Sequence, residues 1–235
     1  MSAPRYYEVK VALADRMDAL EEGASLPPER TLATELGTSR TTLRKALSEL
    51  AAEGKLRRTQ GSGNYVAPPK IVPVRQLTSL TEDLASMGLV ASSRILGLEK
   101  VRAGSALAPV FGVRPTSALW RVTRLRLVDG EPLAIETAHV AGSMPDLPER
   151  LAQYGSLYAA MREGYGHRIA HVEDTVEVAL TDPDESELLD VAVGQPGLLI
   201  RRTGFDPGGD VIEWTRSLYR GDRFRFVASA VVAPV

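Results

Sequence analysis

Apolar residues recur at helical spacing from the start of the chain. Val9, Leu13, Met17 and Leu20 fall every three to four positions, which predicts an amphipathic helix over 5–21 closed by Gly23. Pro27 and Pro28 cannot lie inside a helix, but Pro28 can open one, and Glu29 then suits the positive end of its dipole. Leu32, Ala33 and Leu36 make the inner stripe of this second helix, and Gly37 ends it. Ser39 is an N-cap for a third helix that turns Leu43, Ala46, Leu47 and Leu50 inward and stops at Gly54. Two helices separated by a few residues around Gly37 form a helix-turn-helix. Residues 55–59 and 64–67 read as short strands joined by Gln60, Gly61, Ser62 and Gly63, a wing whose glycine-bearing tip lets backbone approach a phosphate closely.

The pattern then changes. Residues 69–77 are proline-punctuated, as in a linker, dividing the chain into units at 1–68 and 78–235. A short helix is predicted at 79–88 and strands at 92–100, 117–128 and 131–141, the last two joined by a tight turn at Asp129-Gly130. Helices follow over 146–163, then a strand at 170–180, a helix opened by Asp182-Pro183, and strands at 197–206, 210–220 and 224–232. Gly208-Gly209 marks another hairpin. The expected class is α+β: a winged helix-turn-helix followed by a domain built on an antiparallel sheet.

Composition adds limits to this picture. The chain has 235 residues and no cysteine, which excludes disulfides and thiolate metal sites and fits a reducing compartment. Residues 1–10 are polar and no apolar run is long enough to span a membrane, so a cytoplasmic protein is expected. The net charge of −2 argues against a nucleic-acid-coating protein, but its distribution is uneven. Residues 1–70 carry 11 basic and 9 acidic groups, against 17 and 21 in the remainder. A local basic patch on a neutral body suits a site-specific DNA binder.

The third helix carries candidate DNA-reading chemistry at its N-terminal end, where a recognition helix meets base edges. Arg40 and Arg44 share a face, Thr41 and Thr42 suit phosphate or a thymine methyl, and arginine grips guanine bidentately. Taken alone, Arg40, Arg44 and Lys45 fit a solvated helix face equally well; the adjacent turn and wing favour DNA.

In the second unit, Arg124 and Arg126 leave the same face of a predicted strand, roughly 7 Å apart. Trp120 and Val122 share that parity, so the face is partly buried, and two guanidinium forks there call for an anion such as phosphate. An exposed edge strand with solubilising arginines is the alternative. Ser156 and Tyr158 supply hydroxyls, and Ser79 and Thr81 lie near a predicted helix start, where anions bind, although a plain N-cap is the commoner use of a serine. A two-residue turn at Asp129-Gly130 pairs Thr123 with Glu136, putting the carboxylate on the face away from the arginines unless Pro132 forces a bulge. His167 and His171 stand four apart with no acidic ligands or HExxH context, so no metal site is expected, and no cofactor motif is present. The acidic residues Asp182, Asp184, Glu185 and Glu187 read as a helix start.

Three segments together resemble the GntR-family winged-helix signature: Leu26-Pro27-Pro28-Glu29-Arg30-Thr31-Leu32-Ala33, Ser39-Arg40-Thr41-Thr42-Leu43-Arg44-Lys45-Ala46-Leu47, and Gly54-Lys55-Leu56 leading to Gln60-Gly61-Ser62-Gly63. The resemblance implies DNA contacts from Arg30, Ser39, Arg40, Thr41, Arg44, Gln60 and Gly61. The second unit is similar to the effector domain of the HutC-type branch (UTRA), which shares the chorismate-lyase fold. Gly194-Gln195-Pro196 before Leu198-Leu199-Ile200-Arg201-Arg202, and Glu213 before Tyr219-Arg220-Gly221-Asp222-Arg223-Phe224, carry that likeness. Pro4-Arg5-Tyr6-Tyr7, Leu77-Thr78-Ser79-Leu80-Thr81-Glu82-Asp83 and Tyr154-Gly155-Ser156-Leu157-Tyr158 resemble the aminosugar-responsive regulators of N-acetylglucosamine use. That likeness implies phosphate contacts from Arg124, Arg126, Ser156 and Tyr158, and sugar contacts from Glu136, Glu213 and Tyr219.

The expected function is a homodimeric, ligand-gated repressor, not an enzyme. Its partners would be a palindromic double-stranded operator, with GT and AC arms by resemblance, and glucosamine-6-phosphate or N-acetylglucosamine-6-phosphate. Rival effectors are a phosphonate, a histidine-pathway acid or a fatty acid, the last disfavoured by Arg124, Arg126 and Glu213. A lyase-like enzyme with an appended DNA-binding head is the rival from another class, opposed by the lack of general acid and base groups.

Overall fold

The computed structural model describes residues 4–59, 63–71 and 80–227. The chain divides into two compact units, the first comprising 1–71 with 221–224 and the second 72–220 with 225–235. Gln60, Gly61, Ser79, most of the expected linker and the end of the expected strand at 224–232 lie outside the described residues.

The first unit holds α1 (Arg5–Asp18), α2 (Glu29–Glu35), α3 (Arg40–Ala52) and a hairpin of β1 (Leu56–Thr59) with β2 (Gly63–Val66). Its core is the predicted set: Val9, Leu13 and Met17 of α1 pack with Leu32, Ala33, Leu43, Ala46, Leu47 and Leu50, closed below by Leu26 and Leu56. Lys10 of α1 pairs with Glu49 at 3.1 Å and with Glu53, tying α1 to the back of α3. The helix-turn-helix corner forms as the residues dictate. Gly37 adopts φ +54°, a left-handed conformation that glycine tolerates best, and Ser39 Oγ accepts from Thr42 N at 3.1 Å to cap α3. α1 ends at Asp18, three residues earlier than the apolar spacing predicts. Phe224 makes a single bridge to Ile71, and 225–227 form no strand, so the part of the expected last strand that is described is not one.

The second unit is a six-stranded antiparallel sheet in the order β3-β4-β5-β8-β7-β6. The strands are β3 (Ala91–Arg102), β4 (Ala118–Val128), β5 (Glu131–Val140), β6 (His171–Leu180), β7 (Pro196–Phe205) and β8 (Val211–Arg220). The helices are α4 (Leu80–Ser86), α5 (Gly104–Phe111), α6 (Leu147–Tyr154), the short α7 (Leu157–Ala159) running into a π-helical turn (Ala160–Gly164), and α8 (Pro183–Leu189). The helices expected over 146–163 are α6, α7 and the π-helical turn, with α6 ending at Gly155, φ +65°. α5 has no counterpart in the sequence reading; Ala108 and Phe111 seat it against Ala103 and Leu119.

The hairpin between β4 and β5 fixes the site. Asp129 and Gly130 take φ 51° and 81°, pairing Val128 with Glu131 and Leu127 with Pro132. The register then shifts: Arg126 pairs with Ala134, so Leu133 is an extra residue in β5. Arg124 consequently faces Glu136, where an unbroken ladder would have paired Glu136 with Thr123.

Candidate functional site

Ladder register sorts the side chains of the second unit into two faces. One carries Leu125, Ile135, Leu199 and Leu218, which pack with Leu189 of α8. The other carries chemistry in parallel rows. Arg126, Ala134 and Tyr219 form one, and Arg124, Glu136 and Ser217 the next. Val122, Ala138, Thr215, Arg202 and Asp174 make the third. The fourth is Trp120, Val140, Glu213 and Gly204. The apolar end of this face packs under α6 and α7 through Val122, Ala138, Val140, Met144, Leu147 and Leu157.

Arg124 and Arg126 are each 3% exposed, so the edge-strand alternative does not apply. Glu136 forms an ion pair with Arg124 and lies 3.8 Å from Arg126 Nη1. Arg126 Nη2 donates to Thr81 Oγ1 on α4 at 2.8 Å. Even so, Nε and Nη1 of Arg124 and Nε of Arg126 are buried without a hydrogen-bond partner. Burial and the neighbouring Arg124 hold the Arg126 pKa down, with Glu136 opposing both. Burial alone would raise the Glu136 carboxyl, but the two guanidinium groups keep it below the usual carboxylate range. Two buried cations share one carboxylate, and donor capacity remains.

A second network occupies the other end of the face. Tyr158, on α7, donates its hydroxyl to Glu213 Oε2 at 2.6 Å. Burial, with repulsion from Glu136 adding to it, pushes the Glu213 carboxyl up while the Tyr158 bond opposes the rise. Burial and Glu213 raise the Tyr158 hydroxyl well above 10.0. Ser156, buried, caps α7 by accepting from Ala159 N at 3.4 Å. Tyr219 is buried on the row of Arg126. A cavity of about 220 Å³ adjoins Tyr158, lined also by Met161, Arg162, His167, Arg168 and Ile169.

The structure thus brings Thr81, Arg124, Arg126 and Glu136 into one network and Tyr158 and Glu213 into another; Tyr219 is buried on the Arg126 row, and Ser156 caps the helix that carries Tyr158. Sequence reasoning missed Arg202 and Asp174. Arg202 Nε and Nη2 bond Asp174 Oδ1 and Oδ2, both at 2.9 Å. The available signal was parity: Arg202 shares its strand face with Leu198 and Ile200, and Asp174 shares its own with Val172 and Val176.

In the first unit, Arg30, Arg40 and Thr41 are exposed, and neither arginine side chain has a partner among the described residues. Thr42 Oγ1 lies 2.8 Å from Ser39 Oγ. Arg44 is held by Glu29 at 2.7 Å, and Arg58 of β1 donates to the Arg44 carbonyl at 3.3 Å. Lys45 sits 3.7 Å over the Tyr6 ring, a role the sequence reading did not assign. Among the described residues no cluster of His, Asp or Glu is placed to hold a metal ion, and no helix is long and apolar enough to cross a membrane.

Known proteins match both units. Residues 6–66 match the family of bacterial regulatory proteins, gntR family, and residues 86–225 match the UTRA domain. The chain is 33% identical over 227 residues to the HTH-type transcriptional repressor NagR of Bacillus subtilis, covering 95% of this chain and 93% of that one. It is 35% identical over 231 residues to the HTH-type transcriptional repressor PhnF of Mycolicibacterium smegmatis, covering 97% and 94%. The crystal structure of PhnF from Mycobacterium smegmatis aligns with a TM-score of 0.65 at 31% identity, over 96% of this chain and 100% of that one. With a winged helix-turn-helix exposing free arginines and a sheet face holding buried charge, the chain belongs to the GntR family: it is a DNA-binding transcriptional regulator, not an enzyme, with a UTRA domain that receives a small-molecule effector.

Proposed function

We propose that this regulator is a repressor that binds a palindromic operator as a homodimer and senses a phosphorylated aminosugar, glucosamine-6-phosphate or its N-acetyl form. The observation that carries the effector reading is the pair Arg124 and Arg126: adjacent, buried, sharing one carboxylate, with three N–H nitrogens unpartnered. A phosphate is a multidentate acceptor of the matching geometry. Thr81, Ser156 and Tyr158 add hydroxyls, while Glu213, Glu136 and Tyr219 supply the polar contacts that sugar hydroxyls need. The likeness of the segments at 4–7, 77–83 and 154–158 to aminosugar-responsive regulators points the same way.

On the DNA side, Arg40, Thr41 and Arg44 would read base edges. Arg30, Ser39 and Thr42 would fix the backbone, with Gln60 and Gly61 at the wing tip. Two heads on half-sites about one helical turn apart would account for a palindrome. The effector switches the regulator only by binding one arrangement of the dimer better than another.

A thermal-shift screen with glucosamine-6-phosphate, N-acetylglucosamine-6-phosphate, the unphosphorylated sugars, a phosphonate and urocanate tests the effector. Stabilisation by a phosphosugar, absent in Arg124→Ala, is the expected result. No shift with any phosphosugar would overturn the effector reading and leave the family assignment standing.

A further inference from the structure

The carboxylate of Glu29 and the guanidinium of Arg44 meet across the helix-turn-helix corner. Glu29 opens α2, Arg44 lies one turn into α3, and Arg44 Nε donates to Glu29 Oε2 at 2.7 Å. Packing of Leu32 and Ala33 with Leu43, Ala46 and Leu47 fixes the two helices against each other and so sets the reach between these side chains. The Arg44 side chain is 60% exposed and that of Glu29 27%, an exposure at which an ion pair adds little to stability. What the pair does set is orientation.

Which nitrogen is engaged decides what remains. A guanidinium carries five N–H donors, one on Nε and two on each Nη, and no acceptor. With Nε–H given to the carboxylate, the remaining donors are those of Nη1 and Nη2, and neither nitrogen has a partner among the described residues. That edge of the fork meets two acceptors side by side, and in the major groove guanine alone offers such a pair, O6 and N7. Arg30 and Arg40, also exposed in the head, have no such brace among the described residues. A carboxylate on a surface that meets DNA is repelled by phosphates, so Glu29 lowers affinity unless it is tied to a cation there.

We propose that Glu29 is a positioning residue for base reading: by holding Nε of Arg44 it leaves the Nη1–Nη2 edge as the one presented to DNA, and so makes Arg44 selective for guanine. This rests on the reading of Arg44 as a base contact given above. It adds to that reading the base that is preferred and the residue that enforces the preference.

The test uses a pool of duplexes with a randomised segment, selected on the full chain and sequenced, and a scrambled duplex whose affinity is read by fluorescence anisotropy. The wild-type pool should show guanine at one position of each half-site, and Arg44→Ala should lower that preference by about tenfold or more. Glu29→Ala should lower the preference at the same position by about threefold, the scale of an exposed pair, and leave the other positions unchanged. Glu29→Gln, whose amide oxygen still accepts from Nε, should retain part of it. Both Glu29 variants should bind the scrambled duplex at least as tightly as wild type, which certifies that the head is folded. In an Arg44→Ala background, Glu29→Ala should shift no base preference further. Undiminished guanine preference in Glu29→Ala, or a loss spread over all positions with weaker binding of the scrambled duplex, would overturn the assignment while Arg44 remains a base contact. If Arg44→Ala itself changes no base preference, the reading of Arg44 falls, and this assignment with it.

Discussion

Arg124 and Glu136 face each other across β4 and β5 because one residue, Leu133, is extra in the second strand. Leu133 is itself fully buried, so the bulge is anchored in the core rather than left at the surface. Side chains alternate faces along a strand, and without the shift Glu136 would stand behind the sheet and leave two buried guanidinium groups with no carboxylate.

Glu136→Gln should therefore destabilise the effector domain by about 3–5 kcal/mol, the usual cost of stranding a buried charge. Urea melts read the loss. Inorganic phosphate should restore more stability to the variant than to the wild type, because an anion supplies what the carboxylate did. Equal stabilisation of both proteins would contradict the anion-site reading of the arginine pair.

Glu136 and Glu213, two buried carboxylates of the face, should respond to pH with opposite sign. Glu136 is held below its usual value of 4.5, so its stabilising contribution is present above that value and disappears as pH falls through the lowered one. Glu213 is raised above 4.5, so its contribution is complete below that value and is lost as pH rises through the raised one. Glu213→Gln should accordingly melt higher than wild type at neutral pH, by a margin that shrinks on acidification towards pH 4. A margin that grows on acidification would refute this.

Ser39 caps α3 and, in the proposed DNA complex, contacts a phosphate. Ser39→Ala should cost about 1 kcal/mol of stability in the head, read by melting and by faster amide exchange at Thr42. Ser39→Asp keeps the cap but adds a negative charge, so stability should hold while operator affinity drops. Undiminished DNA binding by Ser39→Asp would move Ser39 away from the phosphate backbone.

Arg40→Ala should lower operator affinity by about 1–3 kcal/mol and relax sequence preference at one position of each half-site. Lys45→Ala, whose ammonium sits over Tyr6, should weaken binding evenly across sequences, if at all. Fluorescence anisotropy on a set of single-base operator variants separates the two patterns. An even loss for Arg40→Ala would make it a backbone contact.

Much of the head was legible in the sequence because its structure is local. The cap at Ser39, the corner at Gly37 and the apolar stripes of α1 and α3 each involve neighbours within a few turns of helix. The effector sheet was legible strand by strand, but not in its connections. That β5 lies beside β8 is a pairing of segments about seventy residues apart, and no short-range pattern encodes it. The Leu133 bulge depended on whether Pro132 would disturb a ladder, a balance set by burial of Leu133. α5 was missed because Pro109 interrupts a short and almost wholly apolar segment, which reads as a break until Phe111 and Ala108 are seen against Leu119. Arg202 and Asp174 were missed because each is unremarkable on its own strand and acquires meaning only as cross-strand partners.

The central position of β8 also sets an order of assembly during synthesis. β3, β4 and β5 can pair as soon as they leave the ribosome, and β6 with β7 later, but the two halves of the sheet share no ladder until β8 is made and inserts between them. β8 also carries Glu213 and Tyr219, so a nascent chain halted before residue 211 has neither a continuous sheet nor the sugar end of its proposed effector site. Sensing is the last capacity this unit acquires, and a partly made regulator has no way to answer its ligand.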